Sequence, residues 1–531
     1  MTTQNRSCTN RRVVLGGLCA LGTTLLSAAC AHAQTPPFKI ATVPAKNCPV
    51  TLTAPTTDPA MRRVETGIRP ALTGSATRPQ TLAERMRKLK VPGVSVALIR
   101  QGRIAWTRGW GVRHAGTCAP VTPDTVFQAA SISKPVAALL ALRLVEQGKL
   151  DLDGDVNARL RRWRIPEDTR FPSGRVTLRQ LLSHSAGTGV HGFMGYLPGT
   201  PRPNLVQMLD GKPPANSAAV RLEALPGAGF RYSGGGYMIV QTLIEDATGR
   251  SFAELAQREV LESLGMAQSR FAQPLARGEQ TNAAAGHDGG RPIRGGGYIY
   301  PELAAAGLWA TPADLARMLI DVRAATKEPG HIVSPQTAKT TLASINDVSG
   351  LGFQMWGKDT ARRFGHYGGN LGFLSQAWIN EASGDGIVIM TNGEGGMTLA
   401  DDITRAVADE LEWADFRSRS LTAALGAGPI YLRGTMNEWS TATPLLPAGP
   451  GVWSAIATLR PGDYSFKVAS EDWKTVVLGL EGEQPILGTT EQMPLAYGAN
   501  DIALKIKSAK AYRFALRADD TGQANLSISS E

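Results

Sequence analysis

The residues Ser131-Ile132-Ser133-Lys134 stand directly before the apolar run Val136 to Val145. If a helix begins there, Ser131 and Lys134 fall one turn apart on one face, where the amine meets the hydroxyl. A serine hydroxyl is a poor nucleophile near neutral pH, and a lysine activates it only when burial or neighbouring cations push the ammonium toward the free amine. The spacing is that of a nucleophile beside its base. It is equally that of a helix N-cap serine followed by a solvated lysine, so the quartet needs partners. Two stand further along the chain, Tyr232-Ser233-Gly234 and His366-Tyr367-Gly368.

With those partners the stretch from about Gln80 to Trp413 resembles the penicillin-recognising serine hydrolases, in particular the class C β-lactamase-like branch with its esterases, D-stereospecific peptidases and carboxypeptidases. The resemblance is carried by Phe127-Gln-Ala-Ala-Ser-Ile-Ser-Lys134, Leu181-Leu-Ser-His-Ser-Ala-Gly187, Arg231-Tyr-Ser-Gly-Gly-Gly-Tyr237, Gly307-Leu-Trp-Ala-Thr-Pro-Ala-Asp314 and Phe364-Gly-His-Tyr-Gly-Gly-Asn-Leu-Gly-Phe373. It implies an α+β fold, an antiparallel sheet flanked by helices with an all-helical subdomain. It also implies Ser131 as nucleophile, Lys134 as its activator and Tyr232 as a phenol sharing proton transfer as base and then acid. The backbone amides of Ser131 and Gly369 would form the oxyanion hole, with Tyr367 and Gly368 beside the acyl group. His366, standing where many members carry lysine, would contribute electrostatically or donate a hydrogen bond; its bland alternative is a structural histidine.

Two departures bear on substrate. Gly234 replaces the asparagine that many β-lactam-handling members place third after the tyrosine, removing a side-chain amide able to hold an acylamino group. The missing motif-three lysine removes a fixed charge that would pair with a substrate carboxylate. Esters or small amides are the expected substrates. The alternatives are a β-lactamase or D-Ala-type carboxypeptidase acting on cell-wall peptides, and a low-turnover penicillin-binding protein docked on glycan.

These residues need elements to hold them. Val94 to Arg100, Gln101-Gly102 and Arg103 to Arg108 read as a hairpin that starts an antiparallel sheet; Leu374 to Asn380 and Gly386 to Thr391 close it, with a helix over Ala400 to Trp413. Thr311-Pro312-Ala313-Asp314 carries the cap, first-turn proline and acid of a helix start. The loops Gly189 to Asn216 and Phe271 to Gly297 are expected to wall the cleft, with Phe193, Tyr196, Tyr298, Tyr300 and Trp309 as lining residues. Asp151-Leu-Asp-Gly-Asp155 lacks the remaining ligands of a calcium loop and reads as a turn, and the seven histidines form no ligand pattern. The expectation is an enzyme without metal or other cofactor.

The 531 residues exceed one ordinary domain, and 43% apolar with 19% charged residues describes a globular protein with ample core. Arg11-Arg12 precede an apolar run, Val13 to Ala29, that is broken by glycines and ends near Ala31-His32-Ala33. Residues 1–33 thus read as an export signal, of twin-arginine or general secretory type, leaving no transmembrane anchor in a periplasmic or secreted mature chain. Cys30 after Ser27-Ala28-Ala29 offers a rival lipoprotein cleavage point. Removing Arg6, Arg11 and Arg12 lowers the formal charge from +11 to +8; the remaining basic residues are scattered, which excludes a nucleic-acid footprint. Cys48 and Cys118 remain, and in an oxidising compartment they are expected to pair, the alternative being two separate thiols.

Residues 34–75 read as an extended Pro- and Thr-rich arm, 76–417 as the hydrolase domain and 418–428 as a linker. From 429 to 531, short alternating segments such as Ile430 to Arg433, Val452 to Ile456 and Tyr464 to Val468 predict a β-sandwich. Tyr431 to Ser440 and Phe466 to Lys474 resemble the immunoglobulin-like domains attached to pullulanases, some of which bind α-glucans. Trp439, Trp473 and Trp453 are the candidate stacking surfaces, against a plain core or docking role.

Overall fold

A computed structural model describes residues 40–48, 58–74, 77–172, 174–480, 493–499, 501–519 and 521–531. The export-signal and Cys30 readings therefore lie outside the described residues. Seven strands, β1 (Gly93–Arg100), β2 (Arg103–His114), β3 (Ala119–Pro120), β4 (Gln354–Trp356), β5 (Arg363–Asn370), β6 (Phe373–Asn380) and β7 (Gly386–Thr391), form an antiparallel sheet in the order β4-β5-β6-β7-β1-β2-β3. Gln101-Gly102 turns between β1 and β2, as the sequence predicts.

Successive strand side chains point to opposite faces, and here both faces are covered. Val94, Val96, Leu98, Ile387 and Ile389 pack on one side against α1 (Pro59–Thr66), α2 (Leu82–Lys88) and the long C-terminal helix of the domain, through Met61, Val64, Met86, Leu399 and Ile403. Ala97, Ile99, Val388 and Met390 belong to the larger core on the other side, which holds α3 (Ser133–Glu146), α4 (Gly234–Thr248) and α5 (Pro312–Ala325). Two-sided burial is why β1 and β7 read as near-continuous apolar runs. The C-terminal helix, α6, spans Gly396–Leu411. At α5 the Thr311 hydroxyl accepts from the Asp314 amide and Pro312 occupies the first turn. In Asp151 to Asp155, Asp151 accepts from the Asp153 amide and Asp155 caps a short 3₁₀ turn, so the segment is a turn, as read.

Three readings of chain organisation are corrected. The arm is not wholly extended, because α1 gives it a buried apolar face. The linker is packed: Arg419–Ser420 pairs in parallel with Leu72–Thr73, and α7 (Leu421–Gly426) buries Leu421, Ala424 and Leu425, together with Leu72, in the C-terminal core. The C-terminal domain is not a two-sheet sandwich. Its strands β8 (Ile430–Gly434), β9 (Pro444–Gly449), β10 (Val452–Leu459), β11 (Gly462–Ser470), β12 (Val477–Leu480), β13 (Met493–Tyr497), β15 (Lys510–Ala518) and β16 (Ala524–Ser530) close a barrel-like ring, β8-β9-β10-β15-β16-β13-β12-β11, as β11 pairs back onto β8; β14 (Ile502–Ile506) pairs with β11. Alternation such as Ile502, Leu504 and Ile506 inward with Ala503 and Lys505 outward serves a barrel and a sandwich alike; the long-range β8–β11 pairing separates them.

Cys48 and Cys118 form a disulfide with Cα atoms 5.3 Å apart, closing a loop across 70 positions. Residues around it tie the arm to the body: Val43 N–H donates to Pro292 O and Lys46 N–H to Ala115 O. Among the described residues no helix is long and apolar enough to cross a membrane. Replacing both cysteines by serine is expected to lower stability by about 4 kcal/mol, the chain-entropy value for a loop of this size, read as a lower urea midpoint; an unchanged midpoint would show that the arm is held by its backbone bonds alone.

Candidate active site

Ser131 lies in a 3₁₀ turn, Ala130–Ile132, that runs into α3. The turn is forced by Ala130, a non-glycine residue at φ +49 held in the left-handed region by complete burial. Ser133 pins it, its hydroxyl donating to Ala130 O at 2.6 Å and accepting from Leu308 N–H at 2.9 Å. Ser131 itself is half-exposed. Lys134, in the first turn of α3, is only 2% exposed, and its Nζ lies 3.0 Å from Ser131 Oγ and 2.9 Å from Ala305 O. Burial lowers its pKa from 10.5 to about 7. Among the described residues no carboxylate stands within ion-pair distance of it, so nothing restores the charge.

Tyr232 stands just before Ser233, whose hydroxyl caps α4 by accepting from Gly236 N–H. The Lys134 amine is 5.0 Å from the Tyr232 ring centroid and 5.6 Å from that of the buried Tyr237. Three imidazoles surround the Tyr232 ring: His184 stacks on it at 4.2 Å, His191 lies at 4.8 Å and His366 at 6.0 Å. The Ser233 amide donates to His184 Nδ1, fixing that ring, and burial with Lys134 nearby holds His184 neutral.

β5 supplies the opposite wall. Its pairing with β4 ends at Gly365, so from His366 onward one edge is open toward the nucleophile turn. Gly368 meets that turn so closely that a Cβ would lie 2.2 Å from Ala129 O. The Tyr367 amide points out of the sheet toward Gln354 Oε1, and strand alternation sends the Gly369 amide the same way two residues on. The Ser131 amide belongs to the first helical turn, where amides lack intrahelical acceptors. Asn370 locks the assembly by donating to Gln128 Oε1 and Ala306 O.

His366 requires a correction. Its Nδ1 lies 2.5 Å from Tyr367 O and must donate to it, which leaves the buried Nε2 as an acceptor without a partner among the described residues. Burial, with Lys134 nearby, lowers its pKa to about 3. The ring is neutral, so it replaces neither the charge of a lysine nor, through Nε2, its donor. Tyr367 is half-buried against Trp356. Trp309 is not a cleft residue: it sits in the core, 5.8 Å from Phe373. Tyr196, Tyr298 and Tyr300 are likewise core, while Phe193 is partly buried and reaches Gly234.

Sequence reasoning missed His184 as part of the site, quoting its segment only as framework; no spacing rule links it to Tyr232. It also missed Glu302, a carboxyl raised to about 8 by burial, which among the described residues has no hydrogen-bond partner on another residue, one residue before the helical turn that offers Ala305 O to Lys134. Among the described residues no group of His, Cys, Asp and Glu could hold a metal ion. In the C-terminal domain, Trp439 and Trp473 lie 6.0 Å apart, both half-exposed, with the Arg433 guanidinium 4.2 Å over Trp473; Trp453 packs against the barrel core.

An amine near its neutral form, a hydroxyl in contact with it and a phenol alongside are groups that serine acyl transfer requires. Comparison with known proteins agrees. Esterase EstB of Burkholderia gladioli is 28% identical over 310 residues, 51% of this chain and 74% of that protein. Penicillin-binding protein 4 of Amycolatopsis lactamdurans is 26% identical over 337 residues, 60% and 86% of the two chains. A D-aminopeptidase of Gluconobacter oxydans is 27% identical over 175 residues, spanning 33% of this chain and 31% of its own length. Among solved structures, the octameric penicillin-binding protein homologue from Pyrococcus abyssi superposes with a TM-score of 0.54 at 20% identity, covering 84% of this chain and 98% of its own, a likeness of fold. The Beta-lactamase family model matches residues 79–412, which contain every element of the site described above, and the chain belongs to that family of serine hydrolases.

Proposed function

We propose that the chain is an exported hydrolase of esters or small amides that works through an acyl-enzyme on Ser131. The observation that carries this reading is the buried Lys134 amine, near neutrality at pH 7 and 3.0 Å from Ser131 Oγ. As Oγ attacks the substrate carbonyl carbon, Lys134 takes its proton and the carbonyl electron pair moves onto oxygen, held by the Ser131 and Gly369 amides. When the tetrahedral centre collapses, that proton passes from Lys134 by way of Tyr232 to the departing alkoxide or amine, which restores the neutral amine and the phenol. Water then attacks the ester on Ser131, the neutral Lys134 takes its proton, and that proton returns to Ser131 Oγ as the acyl bond breaks and the acid leaves.

Substrate class is argued from charge. With His366 neutral and Gly234 in place of an amide side chain, the cleft lacks the partners that a β-lactam or peptide carboxylate and its acylamino group would use. This favours neutral esters over cell-wall peptides, in keeping with an esterase among the relatives. Export is supported by the disulfide, a bond that persists in oxidising compartments.

Ser131→Ala is expected to abolish both ester hydrolysis and the covalent adduct with a fluorophosphonate, detected by mass spectrometry of the intact chain; activity retained in that variant would overturn the mechanism. The pH profile follows from Lys134. The base is the neutral amine, whose fraction grows as pH rises through about 7, so kcat/KM should climb roughly tenfold per pH unit below that point and level above it. The same displacement means that the unfolded state binds more protons between about 7 and 10.5, so stability gains with pH across that window. A profile flat from pH 5 to 9 would remove Lys134 as base.

A second activity is proposed for the barrel domain, carried by the paired faces of Trp439 and Trp473: stacking on the sugar rings of an α-glucan. The full-length chain should be retained on insoluble starch and the Trp439→Ala/Trp473→Ala variant should elute early with its hydrolase activity intact. Equal elution of the two would leave the domain without this role.

A further inference from the structure

The segment Gly189 to Phe193 is fastened to the start of α4 by three bonds. Ser233 Oγ donates to Gly189 O at 2.7 Å, Gly235 N–H to Val190 O at 3.0 Å and Gly234 N–H to His191 O at 3.1 Å. This approach is why three glycines follow Ser233. A Cβ at Gly235 would lie 2.7 Å from Gly189 O and 2.8 Å from Val220 Cγ2, and one at Gly236 would lie 3.1 Å from Thr188 Oγ1. At Gly234 the nearest obstacle is a side chain: a Cβ there would lie 2.8 Å from Phe193 Cε2 and 3.5 Å from Phe193 Cδ2, with the backbone carbonyl His191 O at 3.1 Å. The phenyl edge fills the volume in which a side chain at position 234 would begin.

We propose that Phe193 determines the acyl selectivity of this site, its ring replacing a polar side chain at position 234 and admitting apolar acyl groups while rejecting those with an amide beside the scissile carbonyl. The inference rests on the ester-hydrolase reading above. Gly234 is two residues from Tyr232, and the same segment sets His191 at 4.8 Å from the Tyr232 ring, so this wall adjoins the Tyr232 phenol. Phe193 packs on the large core and is only partly buried, leaving part of its surface outward. An acylamino group pressed against a hydrocarbon edge loses its bonds to water and finds no partner, a loss that discriminates strongly between substrates.

The test compares kcat/KM for the 4-nitrophenyl esters of butyric acid and of N-acetylglycine. In Phe193→Ala the ratio should move toward the N-acetylglycyl ester by roughly tenfold, the scale of one pocket contact, with Phe193→Leu moving it less. Gly234→Asn alone should lower the melting temperature through its clash, and Phe193→Ala/Gly234→Asn should recover the part of that loss due to the ring, His191 O staying 3.1 Å from the new Cβ, and favour the N-acetylglycyl ester further. An unchanged ester ratio in Phe193→Ala, with fluorophosphonate labelling of Ser131 at the wild-type rate, overturns the proposal. Failure of the underlying reading looks different: the wild-type chain would then hydrolyse neither ester and take up no fluorophosphonate.

Discussion

Lys134 places an amine in the middle of the protein with no counter-ion among the described residues, and the rest of the site is arranged around that fact. Its displacement from 10.5 to about 7 makes protonation there less favourable by on the order of 5 kcal/mol, so folding delivers a base where water would have kept a cation. The surroundings avoid undoing this. Glu302, the buried acid that precedes the turn holding Ala305, is itself pushed to about 8 and is largely neutral at pH 7. His184 and His366 are held neutral by burial, with the Lys134 amine nearby adding to the effect. The amine keeps two contacts, Ser131 Oγ and Ala305 O, the first reactive and the second orienting.

Close backbone approach brings the remaining groups in. Gly368 lets β5 touch the nucleophile turn at Ala129, and the glycines after Ser233 let the Gly189 to Phe193 segment lie on the start of α4. Neither approach tolerates a Cβ without displacing backbone or ring. Buried polar side chains then hold the pieces in register: Ser133 links the turn to Leu308, and Asn370 and Gln128 link β5 to the 298–306 region. In a core this tightly packed such bonds are satisfied on both sides, which is the condition under which buried polar groups add rigidity.

The hydrolase domain and the barrel share structure at their junction. Leu72, from the arm, sits in the barrel core, and Thr73 and Thr77 bond to Arg419 and Thr521, so the N-terminal arm touches both domains. The disulfide anchors the other end of that arm to the loop after β2. The stretch between the domains was legible as a composition change at Gly426 to Pro429, yet its helix and its pairing with Leu72–Thr73 depend on residues more than 300 positions away.

By itself the sequence determined the reaction class, because Ser131, Lys134 and Tyr232 are recognisable by type, order and neighbours, and it determined the two sheet hairpins and the start of α5, because period and caps are local properties. It also singled out Cys48 and Cys118 as a candidate pair, and they are joined in the structure. Tertiary structure decided what those residues can do. Whether Lys134 is a cation or a base depends on burial by segments far along the chain, and whether His366 donates depends on the Tyr367 carbonyl beside it. Trp309, Tyr298 and Tyr300 have the composition of a cleft wall but pack inward, since aromatic residues in long loops serve core and pocket equally well until the chain folds. Alternating strands likewise left barrel and sandwich open until β8 met β11. Local rules fix local geometry; desolvation, tautomer and closure are set by contacts between residues that the chain itself keeps far apart.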